Sequence, residues 1–411
     1  MQSLMILGRQ PAIGLAELES LYGANKLTLV GNQAVIVDVD PCLLAFDRLG
    51  GSVKFCKLLT AQETTDWHKI EKFLLQVSPG HSQTMPEGKM TLGLSAYGFD
   101  VSPRQLEATG LKLKKAIRAT GRPVRLVPNK TTEVSTPQII HNGLTGPNGW
   151  ELVFIRDGAK TQIAQTVKVQ DIESYTKRDR ERPKRDAKVG MLPPKLAQIL
   201  INLASGPIAE TKLQNICDIP AGDPIPRTIL NQTVLDPFCG TGVLLQEALL
   251  MGYDAVGSDL DKRMVDYSQA NLDWLKAWFD FQTKTSVETG DATAHKWQEK
   301  IDVVASEVYL GRPFTSPPSG EILSQTVSEC NLIIKKFLNN IHGQIESGTR
   351  LCLAIPAWQT KPNQFRHLPL IDQISDLGYN RVSFEHAGND QLIYYRPDQI
   401  VGRELLVITK E

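Results

Sequence analysis

Cysteine is scarce and unpatterned in this chain. Cys42, Cys56, Cys217, Cys239, Cys330 and Cys352 include no Cys-x-x-Cys pair. That argues against a disulfide framework and a structural zinc site, and for a reducing, cytoplasmic setting. Net charge is missing too. The 45 Lys and Arg balance 45 Asp and Glu, so attraction to a polyanion has to come from local patches. No apolar run approaches a membrane span, so no membrane partner is expected. The N-terminus has no basic segment followed by a long apolar core, so no signal peptide is expected. The Gly-Lys-Ser/Thr of a P-loop and the third glycine of a dinucleotide fingerprint are both absent, and there are no repeats. What remains is 411 residues with 41% hydrophobic content, enough for two or three domains with sizeable cores.

The front half reads as α+β. Strands are expected over 4–7, 34–39 and 53–58, with a helix over 14–22 and a turn at Asp47-Arg-Leu-Gly-Gly51. A helix then runs from Asp66 to Leu75, followed by a Pro- and Gly-containing loop to Lys89. Strands over 90–95, 123–127 and 151–155 enclose a helix over 106–120. Arg104, Lys112, Lys114, Lys115, Arg118, Arg122, Arg125 and Lys130 face one acid, Glu107. Phosphate contacts dominate nucleic-acid affinity, so this patch is an expected RNA cradle; the plainer alternative is a solvated helix face. Between Tyr175 and Lys188, Lys177, Arg178, Arg180, Arg182, Lys184, Arg185 and Lys188 outnumber Asp179, Glu181 and Asp186. That composition suits an exposed arm, in contact with phosphates or serving only as a linker. Pro193-Pro194 opens a helix over 195–203, and 217–231 reads as loop.

The densest signal is Val234-Leu-Asp-Pro-Phe-Cys-Gly-Thr-Gly242. An apolar strand ends in an acid, Asp236. A glycine loop with Phe238, Cys239, Gly240 and Gly242 follows, and 243–250 reads as a helix. Glycine lets backbone N–H groups approach a ligand, and the helix N-terminus adds partial positive charge. Asp236 would repel a phosphate but suits an ammonium group. That points to an amino-acid-bearing nucleoside, S-adenosyl-L-methionine. A second strand ends at Ser258-Asp259-Leu260, placing a carboxylate for ribose hydroxyls. A third leads into Asp291-Ala292, where Asp291 is placed to accept from the adenine amino group. Cys239 reads as a small residue beside the ligand rather than a nucleophile.

The next strand, 301–306, runs into Glu307-Val308-Tyr309-Leu310. Reacting groups in parallel α/β sheets sit beyond strand carboxyl ends, which makes this tetrapeptide the candidate active site. It resembles the Asp-Pro-Pro-Tyr element of methyltransferases acting on exocyclic base amines. Glu307 stands for the Asp, Val308 and Tyr309 for the prolines, and Leu310 for the Tyr. A carboxylate and a backbone carbonyl would localise the lone pair of a delocalised amine and aim it at a sulfonium methyl, with no metal required. Tyr309 is placed to stack on a base. Ser316-Pro-Pro-Ser319 has no strand leading into it and reads as loop. Further on, a helix is expected over 328–341 and a strand over 350–355, with Trp358 at its end, flanking a base or packing in the core. Segments 391–395 and 403–409 read as a closing antiparallel hairpin.

With these pieces the chain resembles the THUMP-containing tRNA guanine 2-amino methyltransferases that modify position 10. The likeness rests on Gly14-Leu-Ala-Glu-Leu-Glu-Ser20, Asp47 to Gly51, the basic helix with Gly121-Arg-Pro-Val-Arg125, Met191-Leu-Pro-Pro-Lys-Leu-Ala197, Asp236 to Gly242, and Arg396-Pro-Asp-Gln-Ile-Val-Gly-Arg-Glu404. It implies an α/β, Rossmann-like class I methyltransferase domain over 191–411, a mostly parallel seven-stranded sheet with a closing antiparallel hairpin. Before it would come a ferredoxin-like α+β domain (1–65), a THUMP-like RNA-binding domain (66–157) and a basic linker (158–190). It further implies tRNA as partner, and in some eukaryotic members a small activator protein. Two rivals stay open: a DNA amino-methyltransferase of the same fold, and a non-catalytic RNA-binding protein that retains it.

Overall fold

The computed structural model describes residues 2–186, 191–220, 223–279, 282–314, 316–362, 364–396 and 399–411. Two compact units emerge. One holds Met1–Pro11, Asn25–Phe46 and Ser52–Ile172, and the other Ala12–Ala24, Asp47–Gly51 and Glu173–Glu411.

In chain order the front elements are β1 (Ser3–Leu7), α1 (Pro11–Tyr22, mostly part of the second unit), β2 (Leu27–Val30), β3 (Ala34–Val37) and β4 (Ser52–Gln62). There follow α2 (Trp67–Thr84), β5 (Met90–Tyr97), α3 (Pro103–Arg118), β6 (Val124–Leu126), α4 (Thr136–His141), β7 (Gly149–Asp157) and β8 (Lys160–Val169). Their strands form one sheet in the order β2-β3-β1-β4-β8-β7-β5-β6, with β5 parallel to β6 and β7. Helices α2 and α3 share an apolar cluster with β5 and β7 through Ile70, Leu74, Leu106, Leu113, Leu94 and Phe154. Within the sheet, buried Lys54 donates to Glu151 at 2.6 Å, and Ser95 and Thr166 supply Glu151 with further donors. A buried ion pair stands only when its remaining lone pairs are met in this way.

Several boundaries differ from the sequence reading. Strands from 1–65 and 66–157 lie in the same sheet, joined through β8, which falls inside the segment expected to be linker. Gly158-Ala159 makes the turn from β7 into β8, and Gly at the first position of a two-residue loop between alternating runs is a hairpin signal. The loop expected after Leu75 is helix to Thr84 despite Pro79. Ser78 and Ser82 pack fully buried, and Arg122 donates to the carbonyls of Ser82, Met85 and Pro86 at the helix end, meeting acceptors that a helix terminus leaves open.

The second unit continues with α5 (Ile172–Arg180, Ile172 itself in the first unit), α6 (Pro194–Ser205), α7 (Glu210–Cys217), α8 (Arg227–Leu230), β9 (Thr233–Asp236), α9 (Val243–Leu250), β10 (Asp254–Asp259) and α10 (Lys262–Lys276). Then come β11 (Thr285–Thr289), β12 (Val303–Glu307), α11 (Gly320–His342), β13 (Arg350–Lys361), β14 (Gln364–Arg366), β15 (Tyr379–Arg381), β16 (Ile393–Tyr394) and β17 (Val401–Lys410). The sheet runs β11-β10-β9-β12-β13-β17-β15, with β14 on β13 and β16 on β17. Strands β11 to β13 are parallel; β17 is antiparallel to both β13 and β15. This is the sheet of the class I methyltransferase fold. The expected hairpin survives only as the short β16 against β17, because β17 is mainly inserted between β13 and β15. Pro397 and Asp398 of its turn lie outside the described residues.

Central parallel strands are covered on both faces and therefore read as continuous apolar runs. Leu351, Cys352, Leu353 and Ala354 are fully buried. One face packs with Ile334, Phe337, Leu338 and Ile341 of α11. The expected exposed arm is only partly that. Tyr175, Arg178 and Arg182 are buried, and Arg178 pairs with Glu247 of α9 at 2.7 Å. Residues 187–190 of the same connector lie outside the described residues. The expected loop at 217–231 contains α8 and follows α7.

Candidate active site

Four neighbouring strand ends deliver acids to one place. β9 ends at Asp236 and β10 at Asp259; Asp291 follows β11, and β12 ends at Glu307. All four line a cavity of about 800 Å³, together with Phe238, Cys239, Gly240, Leu260, Ala292, Val308 and Tyr309. Of the residues expected at the cofactor, only Gly242 stays off the wall. It holds a left-handed conformation (φ 79) at the N-terminus of α9, where an added Cβ would lie 2.8 Å from Ser268 Oγ. Its place is in loop geometry and helix packing.

Asp236 is 3% exposed, and its Oδ1 accepts from Ser306 Oγ at 2.6 Å and from the Phe238 amide at 3.3 Å. Burial pushes its carboxyl up to about 7, with the charges of Asp259 and Glu307 adding to the rise. Asp259 accepts from the amides of Gly240 and Asp261, both at 2.9 Å. Burial outweighs those bonds and raises it as well. Asp291 is exposed at the rim. Its Oδ1 takes the Thr293 amide and hydroxyl, which hold the carboxyl below its ordinary range. Cys239 is buried and its thiol is pushed well up by burial, unfit for a nucleophile. Phe238 meets Phe337 edge-on at 5.4 Å, tying the loop to α11.

Glu307 forms an ion pair with Arg403 of β17, Nε donating to Oε1. Both side chains are largely buried. Sequence reading missed this partner, although Arg403 lies inside the quoted segment ending at Glu404. The chain beyond Glu307 turns at Gly311 (φ 85), where an added Cβ would meet Thr326 at 2.7 Å. Tyr309 is 36% exposed. Helix α11 adds Glu329, Leu332, Ile333 and Lys336 to the wall, one face at three- and four-residue spacing. The helix begins earlier than the expected 328, at Gly320, and the four wall residues lie within the expected span.

Trp358 is not beside the cavity mouth. It lies within β13, 1% exposed, in the apolar core. In the basic patch of the first unit, Lys115, Arg118 and Arg125 are exposed and Lys114 half-buried, while Lys112 pairs with Glu71 at 2.6 Å. Arg122 departs from the expected RNA contact. It is 9% exposed and spent on the end of α2 and on Asn148. Among the described residues no group of three or more His, Cys, Asp or Glu is placed to hold a metal ion, and no helix is long and apolar enough to cross a membrane.

Fold and cavity define a class I methyltransferase domain, the class whose methyl donor is S-adenosyl-L-methionine. Residues 229–367 match a family described as RMKL-like, methyltransferase domain, and 128–270 match one described as DNA methylase. Among curated relatives, the tRNA (guanine(10)-N2)-dimethyltransferase of Methanothermobacter thermautotrophicus is 32% identical over 41% of this chain and 39% of its own length. The enzyme of the same name from Pyrococcus abyssi is 28% identical over 40% and 39%. The match thus spans about two fifths of each relative. TrmN from Thermus thermophilus has the same fold at a TM-score of 0.51 and 15% identity, covering all of both chains. A possible methylase from Clostridium difficile 630 follows at 0.51 and 10% identity, covering 98% and 97%.

Proposed function

We propose that this chain is a cytoplasmic tRNA methyltransferase that transfers a methyl group to the exocyclic 2-amino group of a guanine. The observation that carries it is the convergence of Asp236, Asp259, Asp291 and Glu307 on one cavity with Tyr309 on its wall.

The residues fit an amino-acid-bearing nucleoside. A buried carboxylate with no cation in hydrogen-bond reach among the described residues, Asp236, suits an ammonium group. At Gly240 an added Cβ would find open space, so ligand atoms have room to approach that backbone. Asp259 retains lone pairs for ribose hydroxyls, Asp291 accepts from the adenine amine, and Leu260 and Ala292 offer apolar contact to the base. Bound S-adenosyl-L-methionine supplies an electrophilic methyl carbon on its sulfonium.

Glu307 and the Val308 carbonyl accept the two N–H bonds of the guanine amine, localise its lone pair and orient it, and Glu307 is placed to take the surplus proton. Tyr309 packs on the base. The exposed cations Lys112, Lys115, Arg118 and Arg125, with half-buried Lys114, hold tRNA phosphates, within a front unit read as ferredoxin-like and THUMP-like. Glu307→Gln should keep cofactor and tRNA binding and lose methyl transfer by about 100-fold or more; full activity in that variant removes Glu307 from the mechanism.

The DNA methylase family match favours a second reading, an amino-methyltransferase of DNA. Equal amounts of tRNA and duplex DNA offered to the protein with labelled donor separate the two. Inactivity that is relieved by cell extract would instead reveal a required activator protein.

A further inference from the structure

Resting on that reading of Glu307, we propose that Arg403 is a positioning residue that fixes the Glu307 carboxylate for the acceptor amine. It would supply the rigidity that the Val308-Tyr309 pair lacks in place of two prolines. Glu carries one more rotatable bond than Asp, so an unsecured Glu307 would lose more freedom on meeting an amine. The backbone beyond it is held by two contacts: the Val308 amide donates to the Ala354 carbonyl, and the turn at Gly311 rests on Thr326 and Cys330. Neither contact touches the carboxylate.

Arg403 does. On β17 it stands opposite Pro356, while Glu307 on β12 stands opposite Ala354. The guanidinium therefore reaches across the middle of β13, the strand between them, to engage Oε1 through Nε. A planar guanidinium imposes direction as well as charge. With Oε1 engaged, Oε2 is the oxygen left to accept from an amine, and Glu307 lines the cavity where that amine would sit. Displacing a reacting group by about 1 Å can lower a rate by about 100-fold, so a guide to one side chain matters to turnover far more than to binding.

The test is steady-state methyl transfer by the full chain on tRNA, with calorimetry of S-adenosyl-L-methionine binding. Arg403→Gln should lower kcat by about 30- to 100-fold, with tRNA KM and cofactor Kd within about twofold of the parent. Arg403→Lys should recover only part of the loss, because an ammonium brings the charge without the fixed direction, and added guanidinium at millimolar concentration should partly restore Arg403→Ala. The Glu307→Gln/Arg403→Gln double variant should be no slower than Glu307→Gln alone, because the two residues act as a unit. A merely structural pair would lower the melting temperature without guanidinium rescue or a kcat-selective loss. Normal kcat in Arg403→Gln beside a dead Glu307→Gln overturns this proposal and leaves the reading of Glu307 intact. Parent protein that transfers no methyl group to guanine overturns both.

Discussion

Asp236 sits fully buried near two other acids, and its titration links the fold to its ligand. Its carboxyl moves from an ordinary 3.8 to about 7 in the folded chain, chiefly by burial. Between those values the folded state holds a proton that the unfolded chain has released. This group's contribution to stability is therefore full at low pH and falls as pH rises through that window. An ammonium placed against Asp236 reverses the preference and expels the proton. Cofactor affinity should then be about tenfold weaker at pH 6 than at pH 8, with proton release seen by calorimetry in buffers of different ionisation heat. Asp236→Asn should bind weakly and flatten the profile; an unchanged affinity across that range in the parent contradicts the assignment. The two loop glycines should separate just as cleanly. Gly242→Ala sets a Cβ against Ser268 at a positive φ and should cost about 1–3 kcal/mol of stability in denaturant titration. Gly240→Ala, whose Cβ meets nothing within 4 Å, should cost less stability and more cofactor affinity.

Among elements, helix α3 and the connector into α6 show where composition misleads. Both are rich in Lys and Arg, and charge counting treats every one as solvated. On α3 the reading holds for Lys115 and Arg118, whose replacement by Glu should weaken tRNA binding and flatten its dependence on salt. Just beyond it, Arg122 spends its donors on the carbonyls of Ser82, Met85 and Pro86. Arg122→Gln should lower the melting temperature and leave the salt slope of tRNA binding unchanged. The connector hides the same trap: Arg178 and Arg182 are buried in it, and Arg178 pairs with fully buried Glu247. Glu247→Gln should cost about 3–5 kcal/mol by stranding that guanidinium, measured as a shift in urea midpoint. Nothing in a run of charges distinguishes these cases, because the partner comes from a distant segment.

For the whole molecule, the acid-lined cavity was legible because its parts are local. Each acid-ended strand carries its own signal, and parallel pairing of β9 to β12 brings those ends together without further information. What stayed hidden depends on pairing across long stretches of chain. Arg403 reaches Glu307 from β17, and the 47–51 segment belongs to the second unit. Its Arg48 donates to Asn202 of α6, while the Gly50 and Gly51 amides donate to buried Glu17. The segments that carry the family likeness thus include framework of the second unit as well as groups that line its cavity. The central claim is that this cavity brings a methyl donor and a guanine amine together. Mass spectrometry of nucleosides from tRNA incubated with the purified chain and isotope-labelled S-adenosyl-L-methionine tests it most directly. The account predicts label on the 2-amino nitrogen of guanosine in parent protein and none with Glu307→Gln; label on another base, or none on RNA even with cell extract added, would contradict it.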